Sequence, residues 1–371
     1  MKRSPLRFAF FGSSLVSSYW NGAATYYRGL LRALAGRGHT ITFYEPDAFE
    51  RQAHRDIDDP SYARVVVYPG DDDDAALQQV EHAAKTADVL VKASGVGVYD
   101  RLLERAIVEA RRERQLAIFW DVDAPATLAR MRDDAGDPFR ALVPRYDAIL
   151  TYGGGEPVVR AYREFGARLC VPIYNALDPD THHPVVPDPR YAADLSLLAN
   201  RLPDREARIF EYFFTPARRL PGRRFLLGGN GWGPAAPEPN VRLLGHVPTA
   251  EHNAFNVSAL AVLNVARDSM AAMGFSPATR VFEAAGAAAC LITDAWEGIE
   301  LFLEPGREVL VARGADEVVG HLEDLGPERA AAIGRAARRR VLGHHTYTER
   351  AARVEAILYA GAISGSEVVA T

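Results

Sequence analysis

Short apolar runs alternate with longer stretches of helical periodicity along almost the whole chain, and this rhythm limits the fold more than any other feature. Runs at 6–11, 40–44, 64–68, 88–92, 116–120, 147–151 and 169–173 read as strands. Between them, 24–35, 75–86, 99–113 and 156–165 keep apolar residues three and four apart, which is helical spacing. Strand then helix, repeated, reads as a parallel sheet, because parallel neighbours need a long crossover connection. The rhythm breaks over 175–192, where Pro179, Pro184, Pro187 and Pro189 stand among Asp178, Asp180 and Asp188. Proline lacks an amide donor and restrains its predecessor, so this stretch reads as a linker. Strands are predicted again at 194–199, 224–228, 241–244, 260–264, 288–293 and 308–311. Helices are predicted at 204–220, 249–256, 278–287, 315–325 and 328–342, with a last one at 347–359. The expectation is an α/β chain with two similar halves: a domain over 1–174, a linker over 175–192 and a second domain over 193–345. Residues 346–371 would form a terminal crossover helix and, from Gly361, a frayed tail. Two such halves imply a cleft between them.

Composition narrows the partners. A length of 371 residues suits two domains, and 48% hydrophobic residues suffice for two cores. The net charge of -5 gives no bulk attraction to nucleic acid or anionic lipid. The 2 cysteines, Cys170 and Cys290, read as small buried residues and demand neither a disulfide framework nor a cysteine-rich metal site. The apolar run after Met1-Lys2-Arg3 is too short for a signal peptide, and no run is long enough for a membrane span. The expected location is therefore cytoplasmic. Four adjacent aspartates at 71–74 read as a solvated turn or helix cap.

Ligands of open parallel sheets sit beyond the carboxyl ends of the strands, so the loops there supply the candidates. Gly12 follows the first strand and Gly22 precedes the first helix, but their spacing matches neither a dinucleotide fingerprint nor a P-loop. Asp121 and Asp123 follow the fifth strand, on one side of an extended chain, where either can orient a hydroxyl or take its proton. A structural role as strand end or helix cap is the competing reading. In the second half, Asn200 and Arg201 follow the first strand, and Gly229, Asn230 and Gly231 form a glycine-rich loop whose amides can cradle an anion. Arg267 follows the strand 260–264 and is placed for a phosphate, unless it is a surface ion-pair partner.

The strongest local constellation is Arg280 and Glu283 within Ser276-Pro277-Ala278-Thr279-Arg280-Val281-Phe282-Glu283-Ala284-Ala285-Gly286. A helix starting near Pro277 puts the two side chains one turn apart on one face. There Arg280 can bind phosphate, and Glu283 can accept two hydroxyl hydrogen bonds from a ribose. An intrahelical ion pair is the plain alternative.

With Leu291-Ile292-Thr293-Asp294, Asn264, Arg267, Glu308 and His345-Thr346-Tyr347-Thr348-Glu349-Arg350, this constellation resembles the glycosyltransferases of the two-Rossmann-domain GT-B type. It is most similar to the CgeB-like branch related to glycosyltransferase family four, over about residues 6–359. The resemblance implies sugar transfer from a nucleoside-diphosphate sugar to a carbohydrate or small-molecule acceptor. The donor would be a substrate, with no tightly bound cofactor, no metal and no nucleic-acid partner. It also implies that Glu283 contacts the donor ribose and that Arg267 and Arg280 bind the diphosphate as catalytic groups. The glycine loop would lie beside them, and Asp121 and Asp123 would serve the acceptor. One departure is plain: many family-four members carry a second glutamate upstream, where this chain has Phe275. A nucleotide-sugar epimerase and an inactive nucleotide-sugar binder are the alternative functions.

Overall fold

A computed structural model describes residues 4–363. It divides into two compact units. The first holds the chain up to Tyr174 together with the chain from Tyr347, and the second is Asn175–Thr346.

In the first unit, β1 (Arg7–Phe11), β2 (Thr40–Asp47), β3 (Arg64–Pro69), β4 (Val89–Ala93), β5 (Leu116–Asp121), β6 (Ala148–Thr151) and β7 (Cys170–Pro172) form one sheet. The order is β3-β2-β1-β4-β5-β6-β7, and every pair is parallel. The central strands are apolar on both faces because helices cover both. Lys92 is the exception in β4. It is fully buried and survives there as an ion pair with Asp100. The helix Tyr347–Ile363 packs on the helix Ala24–Gly36 at Gly29, where a Cβ would lie 2.2 Å from the Tyr347 ring.

In the second unit, β8 (Ala193–Leu198), β9 (Phe225–Gly228), β10 (Val241–Gly245), β11 (Ala259–Asn264), β12 (Leu291–Asp294) and β13 (Leu310–Ala312) form a sheet ordered β10-β9-β8-β11-β12-β13, again all parallel. Alternation builds two cores, one on each face. Phe225 and Leu227 join Leu195, Leu263 and Phe213 in one, and Leu226 joins Tyr191, Val247 and Phe255 in the other. Strand order reverses between β1 and β4 in the first sheet and between β8 and β11 in the second, and such reversals open a crevice beyond the strand ends.

Two sequence expectations are corrected. The stretch 175–192 is part of the second unit and not a free linker: Asn175 donates to the Pro277 carbonyl at 2.9 Å, His182 is buried, and Tyr191 is in the core. The helix expected over 204–220 is interrupted. It runs as Pro203–Ile209, a π-helical turn Phe210–Phe214 and Thr215–Arg219. Pro216 has no N–H for the carbonyl one turn back, and the wider turn absorbs the defect. Asp72 caps the helix Asp73–Thr86 by accepting from Ala75 N, as one reading of the acidic run expects. Both cysteines are buried free thiols. Among the described residues no helix is long and apolar enough to cross a membrane. The last helix extends through Ile363, and the rest of the tail lies outside the described residues.

Candidate functional site

The reversal between β8 and β11 gathers cations. Asn200, Arg201 and Arg205 follow β8, Arg267 follows β11, and the helix Thr279–Gly286 brings Arg280 and Glu283. Asp294, at the end of β12, shapes the loop after β11. Its buried carboxylate accepts from Ala266 N at 3.0 and 3.1 Å and from Arg208 at 2.5 Å. That fixes the backbone immediately before Arg267, whose Nε donates to Asp204 at 2.5 Å.

Arg280 and Glu283 pair within the helix at 3.2 Å, as the spacing allowed, but the pair is not a surface ornament. Their side chains are only 15% and 6% exposed. Burial alone would raise the Glu283 pKa. Arg280, His182 and His252 outweigh it and hold the carboxylate below its ordinary range, so it is ionised. Arg205 responds to the opposite field. Burial, and the like charges of Arg280 and Arg267, push its guanidinium down to about 10 against the pull of Asp204. Arg205 Nη2 donates to the Asn200 carbonyl at 2.7 Å, while its buried Nε has no hydrogen-bond partner. Two guanidiniums held close enough to weaken the charge on a third form an anion site in the making.

The other expected residues fall into place differently. Asn230 N donates to Asn200 Oδ1 at 2.9 Å and Gly229 N to the Gly245 carbonyl at 2.6 Å. Two of the loop's three amides are therefore already used, which corrects the anion-cradle reading of Gly229, Asn230 and Gly231. Gly229 is needed for another reason. Its φ is +120°, and a Cβ there would lie 2.1 Å from the Ala199 carbonyl oxygen. Gly229→Ala should therefore break the Asn200–Asn230 contact and cost about 2–4 kcal/mol, checked by urea denaturation. Trp232 packs against Phe214 and donates to Ala199 O at 2.7 Å, so it serves the core. Arg201 is an exposed partner of Glu206 at 2.5 Å.

In the first unit, Gly12 is buried where a Cβ would meet the Phe43 ring at 2.6 Å, and Gly22 is exposed with open space around it. Packing, not a ligand, accounts for Gly12. Asp121 is fully buried, which corrects its reading as a base for an acceptor. It accepts from Ser94 Oγ at 2.7 Å, Thr127 Oγ1 at 3.1 Å, Asp123 N at 3.0 Å and Tyr162 Oη at 2.5 Å. Asp123 is half-buried and starts the helix Ala124–Asp133, its carbonyl taking the Thr127 N–H at 3.1 Å. Phe275, at the position of the missing glutamate, has φ +48° and lies against Gly298.

Sequence reading missed Arg205, His182 and His252. Arg205 had a signal, since it stands in the first turn of a helix that follows the first strand of this half. The histidines had none. His182 lies in the proline-rich stretch and His252 on a short helix.

Residues 205–356 match the model of a family described as glycosyl transferase-like. No curated protein matches the sequence. Sucrose-phosphate synthase from Thermosynechococcus elongatus superposes with a TM-score of 0.67 at 14% identity, covering 98% of this chain and 100% of that one. HepE from Anabaena, in complex with UDP and glucose, gives 0.67 at 14% identity, covering 96% and 100%. The fold is GT-B. An alpha-glucosyltransferase in complex with UDP-glucose and DNA containing an abasic site shares this fold, with a TM-score of 0.68 at 12% identity over 96% and 100% of the two chains. The GT-B expectation from the sequence thus agrees with the structure over both units. The matched family segment covers most of the second, including all three clustered arginines and Glu283.

Proposed function

We propose that the protein is a glycosyltransferase that moves a sugar from a nucleoside-diphosphate sugar to an acceptor hydroxyl, and that it belongs to the CgeB-like branch. The observation that carries this is the convergence of Arg205, Arg267 and Arg280 on the strand-order reversal of the second sheet, with the ionised Glu283 beside them. The carboxylate takes the ribose hydroxyls, and the arginines take the diphosphate. As the bond to the anomeric carbon breaks, negative charge grows on the diphosphate. Guanidiniums already fixed in a poorly hydrated setting stabilise that charge more in the transition state than in the ground state. Arg205, whose buried Nε has no hydrogen-bond partner, gains most from the incoming phosphate. Of the two acids at the end of β5, Asp121 is fully buried and Asp123 half-buried, so Asp123 is the one assigned to the acceptor hydroxyl.

The test is release of free nucleoside diphosphate from UDP-, GDP-, TDP- and ADP-sugars, with and without a panel of sugar acceptors. UDP-glucose comes first, since UDP and glucose occupy HepE. One donor should give release that rises with acceptor. Isomerised nucleotide sugar with no acceptor product would make the protein an epimerase, and binding without turnover would make it a binder.

A further inference from the structure

Three side chains beside the arginine cluster turn polar atoms towards one another. His182 comes from the proline-rich stretch, His252 opens the helix His252–Ser258, and Glu283 lies on the helix Thr279–Gly286. Their nearest ligand atoms all lie within 4.8 Å of one another. His252 Nε2 faces the Val247 carbonyl at 3.2 Å. That contact places the ring proton on Nε2 and leaves a lone pair on Nδ1. A histidine that donates one nitrogen to a backbone carbonyl and turns the other inward is oriented as a metal ligand. Nδ1 of His252 and Nε2 of His182 are both buried and lack a hydrogen-bond partner. Leaving one such atom unsatisfied is costly, and two beside a carboxylate ask for a common partner.

The carboxylate is divided between two neighbours. Oε2 faces Arg280 at 3.2 Å, and Oε1 faces His182 Nε2 at 3.9 Å. Oε1, on the histidine side, would serve an ion while Arg280 balances the other oxygen. We propose that His182, His252 and Glu283 form a binding site for a divalent transition metal ion of the zinc class. Two imidazoles and one carboxylate suit such an ion, whereas magnesium and calcium prefer oxygen alone. Bonds of about 2 Å require the three side chains to draw together by roughly an ångström, within reach of side-chain rotation. Three protein ligands leave a fourth position for water. The ion would tie three separate segments of the second unit. It would also share Glu283 with the nucleotide, so metal and nucleotide should compete.

The experiment uses the full chain, treated with chelator and then titrated with Co²⁺ and Zn²⁺ without nucleotide. Visible ligand-field bands and calorimetry are the readouts. The site predicts one cobalt ion per chain, displaced by zinc, and at least tenfold weaker binding in His252→Gln and in His182→Gln, with folding checked by circular dichroism. No cobalt spectrum and no heat in the wild type would overturn the site without recourse to any variant. So would unchanged binding in folded His252→Gln, whose half-buried position makes it the safer substitution. UDP binding to the chelator-treated chain is measured separately. Nucleotide binding without metal binding rejects this site alone, and metal binding without nucleotide binding rejects only the transferase reading.

Discussion

Arg205→Ala weakens nucleoside-diphosphate binding by about 10- to 100-fold and leaves the second unit close to wild-type stability. The first part follows from chemistry. A guanidinium contact to phosphate is a charge-assisted hydrogen bond worth about 1.5–3 kcal/mol, and each 1.4 kcal/mol is tenfold in affinity. The second part follows from the charges around Arg205. Burial and the neighbouring Arg280 and Arg267 oppose the charge on Arg205, whose proton affinity falls to about 10. A group whose folded-state pKa is lowered below its unfolded value costs stability wherever it stays charged, so its removal relieves the fold. Loss of the hydrogen bond to the Asn200 carbonyl works the other way. The two changes offset each other. Arg280→Ala offers the contrast, because it strands the buried carboxylate of Glu283. That variant should lose binding and stability together, by about 3–5 kcal/mol for the latter. Calorimetry with UDP at two salt concentrations, paired with urea denaturation, separates the cases. Equal UDP affinity in Arg205→Ala and wild type would remove Arg205 from the donor site.

Asp121→Ala lowers the stability of the first unit by about 3–5 kcal/mol, since a buried carboxylate holding four donors leaves most of them unsatisfied when it goes. In a unit of this size the melting midpoint drops by roughly 10 °C. Asp121→Asn keeps an accepting oxygen and should lose much less. Burial raises the Asp121 pKa, with Tyr162 and Ser94 opposing. The folded state therefore holds the proton more tightly than the unfolded chain. This contribution to stability is present below the unfolded pKa and is lost as pH rises through the folded one. The asparagine variant lacks that slope. If Asp121→Asn instead melts normally but transfers no sugar, the residue is the base after all, and its buried network has been misread.

Most strands were legible because parallel strands covered on both faces read as unbroken apolar runs, and the thirteen strands of the described residues lie where apolar runs stand. What interrupts an element was less visible. The π turn at Phe210–Phe214 depends on one missing amide, and the packing of 175–192 depends on partners such as Pro277 that are far away in the chain. The same division holds at the site. Arg280 and Glu283 could be paired by counting along a helix. Arg205 and the two histidines meet them only through tertiary placement, which no local pattern encodes. Asp121 and Asp123 looked equivalent by alternation. The strand ends at Asp121, however, so one acid turns into the core and the other begins a helix. The glycines after β9 were read as room for a ligand, yet Gly229 makes room for the chain's own carbonyl.

The first unit is discontinuous in sequence: its last helix, which fills the notch at Gly29, comes only after all of Asn175–Thr346. On a ribosome the early sheet must therefore wait, its helix groove uncovered, while a whole second domain emerges and folds. Completion of the amino-terminal half thereby waits on synthesis of the entire second unit, and a nascent chain stalled midway offers an apolar trench to chaperones rather than a sealed domain.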